Sequence, residues 1–220
     1  MVSCKESGQE RTESYSIAES LFNSLDLFHV SFAEVIAGCY FYCMDVVRVN
    51  DLDFRPFISH AMIQQRISEI ARQINDDLRN KEPIFIGILN GSFMFAADLM
   101  KEVNIRSEIT FVKMASYDGL QSTRDVKTLI GFEKPLKGRT VVIVEDIIDT
   151  GTTIQEMLKA LGKEKPDRII IAVLLLKPDA LEYDLDVDYI GFKVPNEFLV
   201  GYGLDYDGLG RNMKDIYVKI

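Results

Sequence analysis

Through residues 1–43 the apolar positions follow neither a helical nor a strand period, and from Met44 onward they do. After Pro56, Ser59 stands as an N-cap ahead of Ile63, Ile67, Ile70, Ala71, Ile74 and Leu78, whose spacing predicts an amphipathic helix. Residues 80–83 stop it, the apolar run 84–89 has strand length, Asn90-Gly91-Ser92 makes a tight turn, and a second helix is expected over 93–103. Residues 108–114 predict a strand, and the polar, aperiodic stretch 116–127 predicts a long loop of the kind that closes over sites. The β-branched run 140–144, a helix over 153–161 and the apolar run 169–176 complete a β-α-β unit.

Strands alternating with helices predict an α/β fold, a mostly parallel sheet flanked by helices, with ligands held beyond the carboxyl ends of the strands. The tail 195–220, rich in Gly, Tyr and Asp, is expected to supply most of a small cap. Two segments are expected: an N-terminal extension over 1–43, which need not belong to the native domain since Met44 is itself a sensible initiator, and one domain over 44–220.

Composition narrows the function classes. At 47% hydrophobic and 27% charged, the chain of 220 residues is globular and has room for one large domain with an appendage. Its 34 acidic against 25 basic residues give a net charge of −9, so a general footprint for nucleic acid is missing and any polyanion must be gripped locally. The apolar stretch 35–44 is far shorter than the roughly 20 residues a spanning helix needs, and the first residues form no basic leader. Cys4, Cys39 and Cys43, with none after them, give no disulfide framework and fit a reducing cytoplasm. Cys39, Cys43 and His29 make a weak zinc set, and inert thiols are the better reading.

The chemistry concentrates where the 140–144 run meets Glu145, Asp146, Ile147, Ile148 and Asp149, then Thr150-Gly151-Thr152-Thr153. Hydroxyls and N–H groups of 150–153 at a helix start can cradle a phosphate, and Gly151 lets the backbone come close. Adjacent carboxylates suit a vicinal diol or a hydrated Mg²⁺. An isolated acid pair is more often a solvated turn; here strand, acids and anion loop coincide.

Taken with Leu89-Asn90-Gly91-Ser92, Ser116-Tyr117, Lys177 and residues 200–206, these residues resemble the type I phosphoribosyltransferases, and among them the hypoxanthine-guanine phosphoribosyltransferases, from about Phe54 to Ile220. The resemblance implies that Glu145 and Asp146 hold the ribose hydroxyls of phosphoribosyl pyrophosphate (PRPP) and that Thr150, Gly151, Thr152 and Thr153 hold its 5′-phosphate. It implies Asp149 as general acid/base at purine N7, Lys177 as donor to O6, and a purine sandwich of Phe198 and Ile147 with the Leu199 carbonyl at the base edge. Asp205 is implied at the base, through its main chain, and beside Mg²⁺ with Glu145 and Asp146. Asn90, Gly91, Ser92 and Arg211 are implied at pyrophosphate, with a non-proline cis peptide in that loop and Ser116 and Tyr117 in the closing loop. At position 90 many relatives carry Lys, so this chain's Asn90 departs from the pattern.

The activity implied is purine salvage, with hypoxanthine or guanine plus PRPP giving IMP or GMP plus pyrophosphate, in a cytoplasmic homodimer or homotetramer that uses Mg²⁺ and binds no nucleic acid or membrane. Each residue also has a plainer reading: Asp149 as a turn cap, Lys177 as a solvated strand end, Phe198 and Ile147 as core, Asp205 and Arg211 as a surface ion pair. The competing function is a PRPP or nucleotide sensor with the same fold. No G-x-G-x-x-G opens a helix and no P-loop is present, which argues against nicotinamide and P-loop kinase chemistry, and His29 and His60 match nothing catalytic.

Overall fold

The computed structural model describes residues 46–115, 127–128 and 135–220. All lie within the compact unit Asp45–Ile220. Residues 1–43, the boundary near Met44, and Ser116 and Tyr117 lie outside the described residues.

Two sheets organise the fold. The larger contains β3 (Ile84–Leu89), β4 (Glu108–Ala115), β5 (Lys127–Thr128), β6 (Thr140–Ile148), β7 (Arg168–Leu176) and β8 (Tyr189–Lys193) in the order β5-β4-β3-β6-β7-β8. All neighbours in it are parallel except β4 and β5. Helix α1 (His60–Asp77) precedes β3, α2 (Phe93–Glu102) links β3 to β4, and α3 (Thr152–Glu164) links β6 to β7.

The helix expected after Ser59 forms as the spacing requires. Ser59 is extended and its side chain accepts from the Met62 amide at 3.4 Å. All six apolar residues that define the period, Ile63 to Leu78, are buried in the core shared with β6 and β7. The run 140–144 is the start of a longer strand. Pairing with β7 continues through Glu145↔Val173, Ile147↔Leu175 and Ile148↔Leu176, so the acids lie within β6 rather than after it.

The smaller sheet has the order β1-β2-β10-β9, all antiparallel, from β1 (Val47–Val49), β2 (Leu52–Ile58), β9 (Leu199–Val200) and β10 (Ile216–Lys219). The C-terminal tail does form a cap, and half of the cap's strands come from the hairpin 47–58. Pro56 is tolerated in β2 because it lies opposite Tyr217 at a register shift of β10.

Connections leave β3 toward β4 and β6 toward β7, in opposite directions along the sheet. The crevice between the carboxyl ends of β3 and β6 is therefore a topological switch point, where open α/β sheets bind ligands.

Candidate active site

β3 and β6 pair only as far as Gly87↔Val144. Beyond that point the strands diverge, and Glu145, Asp146, Asn90 and Gly91 line the gap. Glu145 is buried, and its Oε2 makes no hydrogen bond. Burial, then the neighbouring charge of Asp146, pushes its carboxyl well above the usual range. Burial likewise raises Asp146 to about 6, against the pull of its own and Ile147's amides and of Arg211. The Asp146 carboxylate lies directly on Gly91, where any Cβ would overlap it. Only glycine allows this contact.

The anion turn follows at once. Gly151, at φ 88°, is the left-handed N-cap of α3, and Gln155 closes the first turn on the Gly151 carbonyl at 2.9 Å. Thr150 and Thr152 share a hydroxyl–hydroxyl hydrogen bond of 2.9 Å at this helix start. Two adjoining clefts of about 210 and 260 Å³ share Glu145, Asp146, Thr152 and Thr153. One extends to Asn90 and Gly91, the other over residues 147–151. Each alone falls below the roughly 300 Å³ of a small-molecule pocket, so a ligand of ordinary size spans both.

Lys177, at the end of β7, places its Nζ 2.7 Å from Asp149 Oδ2. The lysine side chain is 8% exposed and the aspartate 49%, so a buried ammonium is neutralised by a carboxylate that stays open to the cleft. The expected acid/base and the expected O6 donor are thus a single ion pair.

The cap meets the site at the Gly91 turn. Phe198 is 42% exposed, and Tyr206 meets it edge-on at 5.6 Å between ring centroids. Leu199 is buried in β9, so only its main chain can face a ligand, and Ile147 is half-buried in β6. Arg211 donates to Asp205 Oδ1 at 2.5 Å and to the Gly203 carbonyl at 2.6 Å, while Asp205 Oδ2 accepts from the Gly208 amide at 2.7 Å. Gly203, at φ 100°, packs on the Gly91 carbonyl so closely that a Cβ would overlap it.

Within the turn 90–92, the Leu89–Asn90 peptide is cis. Ser92 differs from expectation. It is fully buried, and its amide and hydroxyl both donate to the Ile88 carbonyl, at 3.4 and 2.6 Å, leaving Asn90 and Gly91 as the turn residues that line the cleft. Met114, near the end of β4, also lines it. Its one sequence signal is its position at the carboxyl end of a strand. His60 is exposed, and its amide donates to Asp215 Oδ1.

Known proteins resemble the chain in sequence and in fold. The model of the phosphoribosyl transferase domain matches residues 59–207. The chain is 43% identical over 152 residues to the hypoxanthine phosphoribosyltransferase of Salmonella typhimurium, covering 68% of this chain and 85% of that protein. It is 38% identical over 157 residues to the hypoxanthine-guanine phosphoribosyltransferase of Staphylococcus epidermidis, covering 71% and 88%. Among solved structures, a hypoxanthine phosphoribosyltransferase from Staphylococcus aureus superimposes with a TM-score of 0.72 at 35% identity, over 78% of this chain and 93% of that one. A hypoxanthine-guanine phosphoribosyltransferase from Bacillus anthracis gives 0.71 at 33%, over 80% and 99%. The chain belongs to the phosphoribosyltransferase family.

Proposed function

We propose that the protein is a purine-salvage phosphoribosyltransferase, converting hypoxanthine or guanine and PRPP into IMP or GMP and pyrophosphate. The observation that carries this reading is the Lys177–Asp149 pair, 2.7 Å apart beside the anion turn of α3. O6 and N7 are neighbouring atoms on one edge of a 6-oxopurine. A lysine donor and an aspartate held side by side match that edge, whereas adenine would present an amino group to an ammonium.

The 5′-phosphate is taken by the amides and hydroxyls of residues 150–153, and the ribose hydroxyls donate to Glu145 and Asp146. Phe198 and Ile147 hold the base between them, with the Leu199 carbonyl and the Asp205 main chain at its far edge. Pyrophosphate lies between Asn90-Gly91 and Arg211, whose planar fork suits phosphate oxygens. N9 attacks C1′, the C1′–pyrophosphate bond breaks, and Asp149 exchanges the N7 proton as the charge on the ring changes. Ser116 and Tyr117 are proposed to close over the site and exclude water from an oxocarbenium-like carbon.

Glu145 Oε2, buried without a partner, together with the raised Asp146, gives a donor set that fits a divalent cation. Among the described residues no group of three or more His, Cys, Asp or Glu side chains could hold a metal ion by itself; Glu145 and Asp146 would hold Mg²⁺ together with water and substrate oxygens. When bound, the ion would supply positive charge toward the pyrophosphate leaving group. Asp205, engaged by Arg211 and the Gly208 amide, would join Glu145 and Asp146 as a candidate ligand.

The alternative of a PRPP sensor finds no support in the relatives reported, which are named as enzymes. Among the described residues no helix is long and apolar enough to cross a membrane. We place the enzyme in the cytoplasm as a homodimer or homotetramer, to be checked by light scattering, and expect deletion of residues 1–43 to leave turnover unchanged. The deciding experiment measures nucleotide formation from PRPP with hypoxanthine, guanine, xanthine and adenine, with and without Mg²⁺. Mg²⁺-dependent IMP and GMP without AMP is expected; no product from any base would overturn the proposal.

A further inference from the structure

One part-buried polar cluster has no part in the chemistry above. Tyr202 is fully buried, and its hydroxyl donates to Asp98 Oδ2 at 2.6 Å. Gln64 on α1 donates to the same oxygen at 2.8 Å, and Lys101 pairs with Asp98 Oδ1 at 2.7 Å. Burial acts to raise the Asp98 carboxyl, but hydrogen bonds from Lys101, Tyr202 and Gln64 outweigh it and hold the group below its usual value. Asp98 is therefore a charged anchor, and Tyr202 is tied to it by a charge-assisted bond.

The backbone around this bond is unusual. Gly201, Tyr202 and Gly203 have φ of 101°, 48° and 100°, three successive residues in the left-handed region, where a tyrosine is uncommon. Such a turn persists only where its surroundings fix it. Here they do so through the tyrosine hydroxyl and through the Tyr202 amide, which donates to the Met213 carbonyl at 2.9 Å.

Its position gives the cluster a use. Asp98 lies on α2, the helix that starts directly after the turn 90–92. Gly203, next to Tyr202, packs on the Gly91 carbonyl and is tied to Arg211 by hydrogen bonds of 2.9 and 2.6 Å. One side-chain bond thus joins the element carrying Asn90 and Gly91 to the element carrying Arg211, the two walls assigned to pyrophosphate.

We propose that Tyr202 and Asp98 are positioning residues that set the spacing of these two walls, and through it the affinity for pyrophosphate and for PRPP, without touching either. The inference rests on the function proposed above. The test is calorimetry of the full chain with inorganic pyrophosphate and Mg²⁺, beside steady-state kinetics with each substrate varied. Tyr202→Phe keeps the ring that fills the core and removes only the donor. The pyrophosphate Kd and the PRPP KM should rise roughly tenfold, the scale of one lost hydrogen bond to a charged group. The hypoxanthine KM should change by less than about twofold, because Lys177, Asp149, Ile147 and Phe198 make no hydrogen bond or ring contact with the bonded pair.

Asp98→Asn, which keeps an acceptor oxygen but loses the charge, should give the same selective change at about threefold. It carries the test should Tyr202→Phe not fold. A merely structural role would lower melting temperature or kcat with both KM values fixed, or raise both KM values together. Either result, or an unchanged pyrophosphate Kd, overturns the proposal. Absence of wild-type turnover alongside an intact pyrophosphate response would instead sink the functional reading alone.

Discussion

The parallel sheet and the cap sheet hold their functional groups by different means. In the parallel sheet, Glu145, the turn 150–153 and Lys177 extend from β6 and β7, whose apolar residues are buried against helices. Their positions follow from burial of the whole strand. The cap pairs residues far apart in sequence, such as Ile216 with Ile58, which join the main core, and adds a small core of its own from Val49, Phe54 and Val200. There Arg211, Asp205, Phe198 and Tyr206 are placed by a few side-chain hydrogen bonds and ring contacts. On the function proposed, the sheet is the platform assigned to phosphate, ribose and proton transfer, and the cap's discrete ties tune how firmly substrate is gripped. Platform substitutions should then cost chemistry in large steps, and cap substitutions should cost affinity in small ones.

The largest effect expected is at Asp149. Asp149→Asn keeps the size of the side chain and a weaker partner for Lys177 but removes the base. We expect kcat to fall by roughly 10²–10⁴-fold, the usual range for a general acid/base, with the PRPP KM little changed. An unchanged kcat with both hypoxanthine and guanine would remove Asp149 from the chemistry and leave Lys177 as the platform's main contribution.

Next in size is Lys177→Ala. Loss of the O6 donor should lower kcat/KM for hypoxanthine by roughly 10²–10³-fold while adenine turnover changes far less, so discrimination collapses. Competition between the two bases in one reaction reads this directly. An equal loss for both bases would assign Lys177 to holding Asp149 in place rather than to base selection.

The same division explains what could be read from the chain. The six apolar positions of α1 follow a local period, and every one is buried. β6 was legible only in its first half, because charged residues normally end a buried strand whereas here Glu145 stays in register with Val173. The turn 150–153 was legible as a candidate anion site because its residues are contiguous. Asp149 and Lys177 are 28 residues apart, and nothing in their local sequence joins them; the family resemblance supplied both roles. The hairpin 47–58 has no local signature, since Pro56 reads as a strand breaker and its partner Tyr217 lies at the other end of the chain. For the same reason the Tyr202–Asp98 bond appears only in three dimensions.

The third prediction separates binding from stability through pH. Asp146 is raised from 3.8 to about 6 by burial, and Glu145 is shifted in the same direction. A folded-state value above the unfolded one means that the native protein binds more protons between them. The ligand-free protein should therefore gain stability from Asp146 as pH falls from about 6 toward 3.8 and carry its penalty in full above about 6, with Glu145 acting in the same direction. Asp98, shifted down, loses its contribution only as pH falls through values below its usual 3.8, outside that window. Binding runs the other way, because ribose hydroxyls and a cation need the carboxylate. The PRPP KM should rise about tenfold per unit below roughly pH 6. Asp146→Asn should flatten the melting-temperature trend; if the trend survives, its source lies elsewhere.

The smallest effect tests whether a cap tie acts on the base alone. Tyr206 donates its hydroxyl to Asp51 Oδ1 at 2.7 Å, and Asn50 donates to the Tyr206 carbonyl at 3.3 Å, so the hairpin turn of β1 and β2 holds the ring that meets Phe198 edge-on. Both partners lie at the surface, where water replaces a lost bond readily. Tyr206→Phe keeps the ring contact with Phe198 and frees it from Asp51. The hypoxanthine KM should rise by about two- to threefold, with kcat and the PRPP KM constant. Asp51→Ala should match it, and the double variant should be no worse than either, as two halves of one tie require. A PRPP effect as large as the purine effect would show that the cap moves as one body and that its ties are not separately tunable. Purine-selective loss from Tyr206 beside pyrophosphate-selective loss from Tyr202 would instead establish two independent adjustments, four residues apart on one segment of the cap.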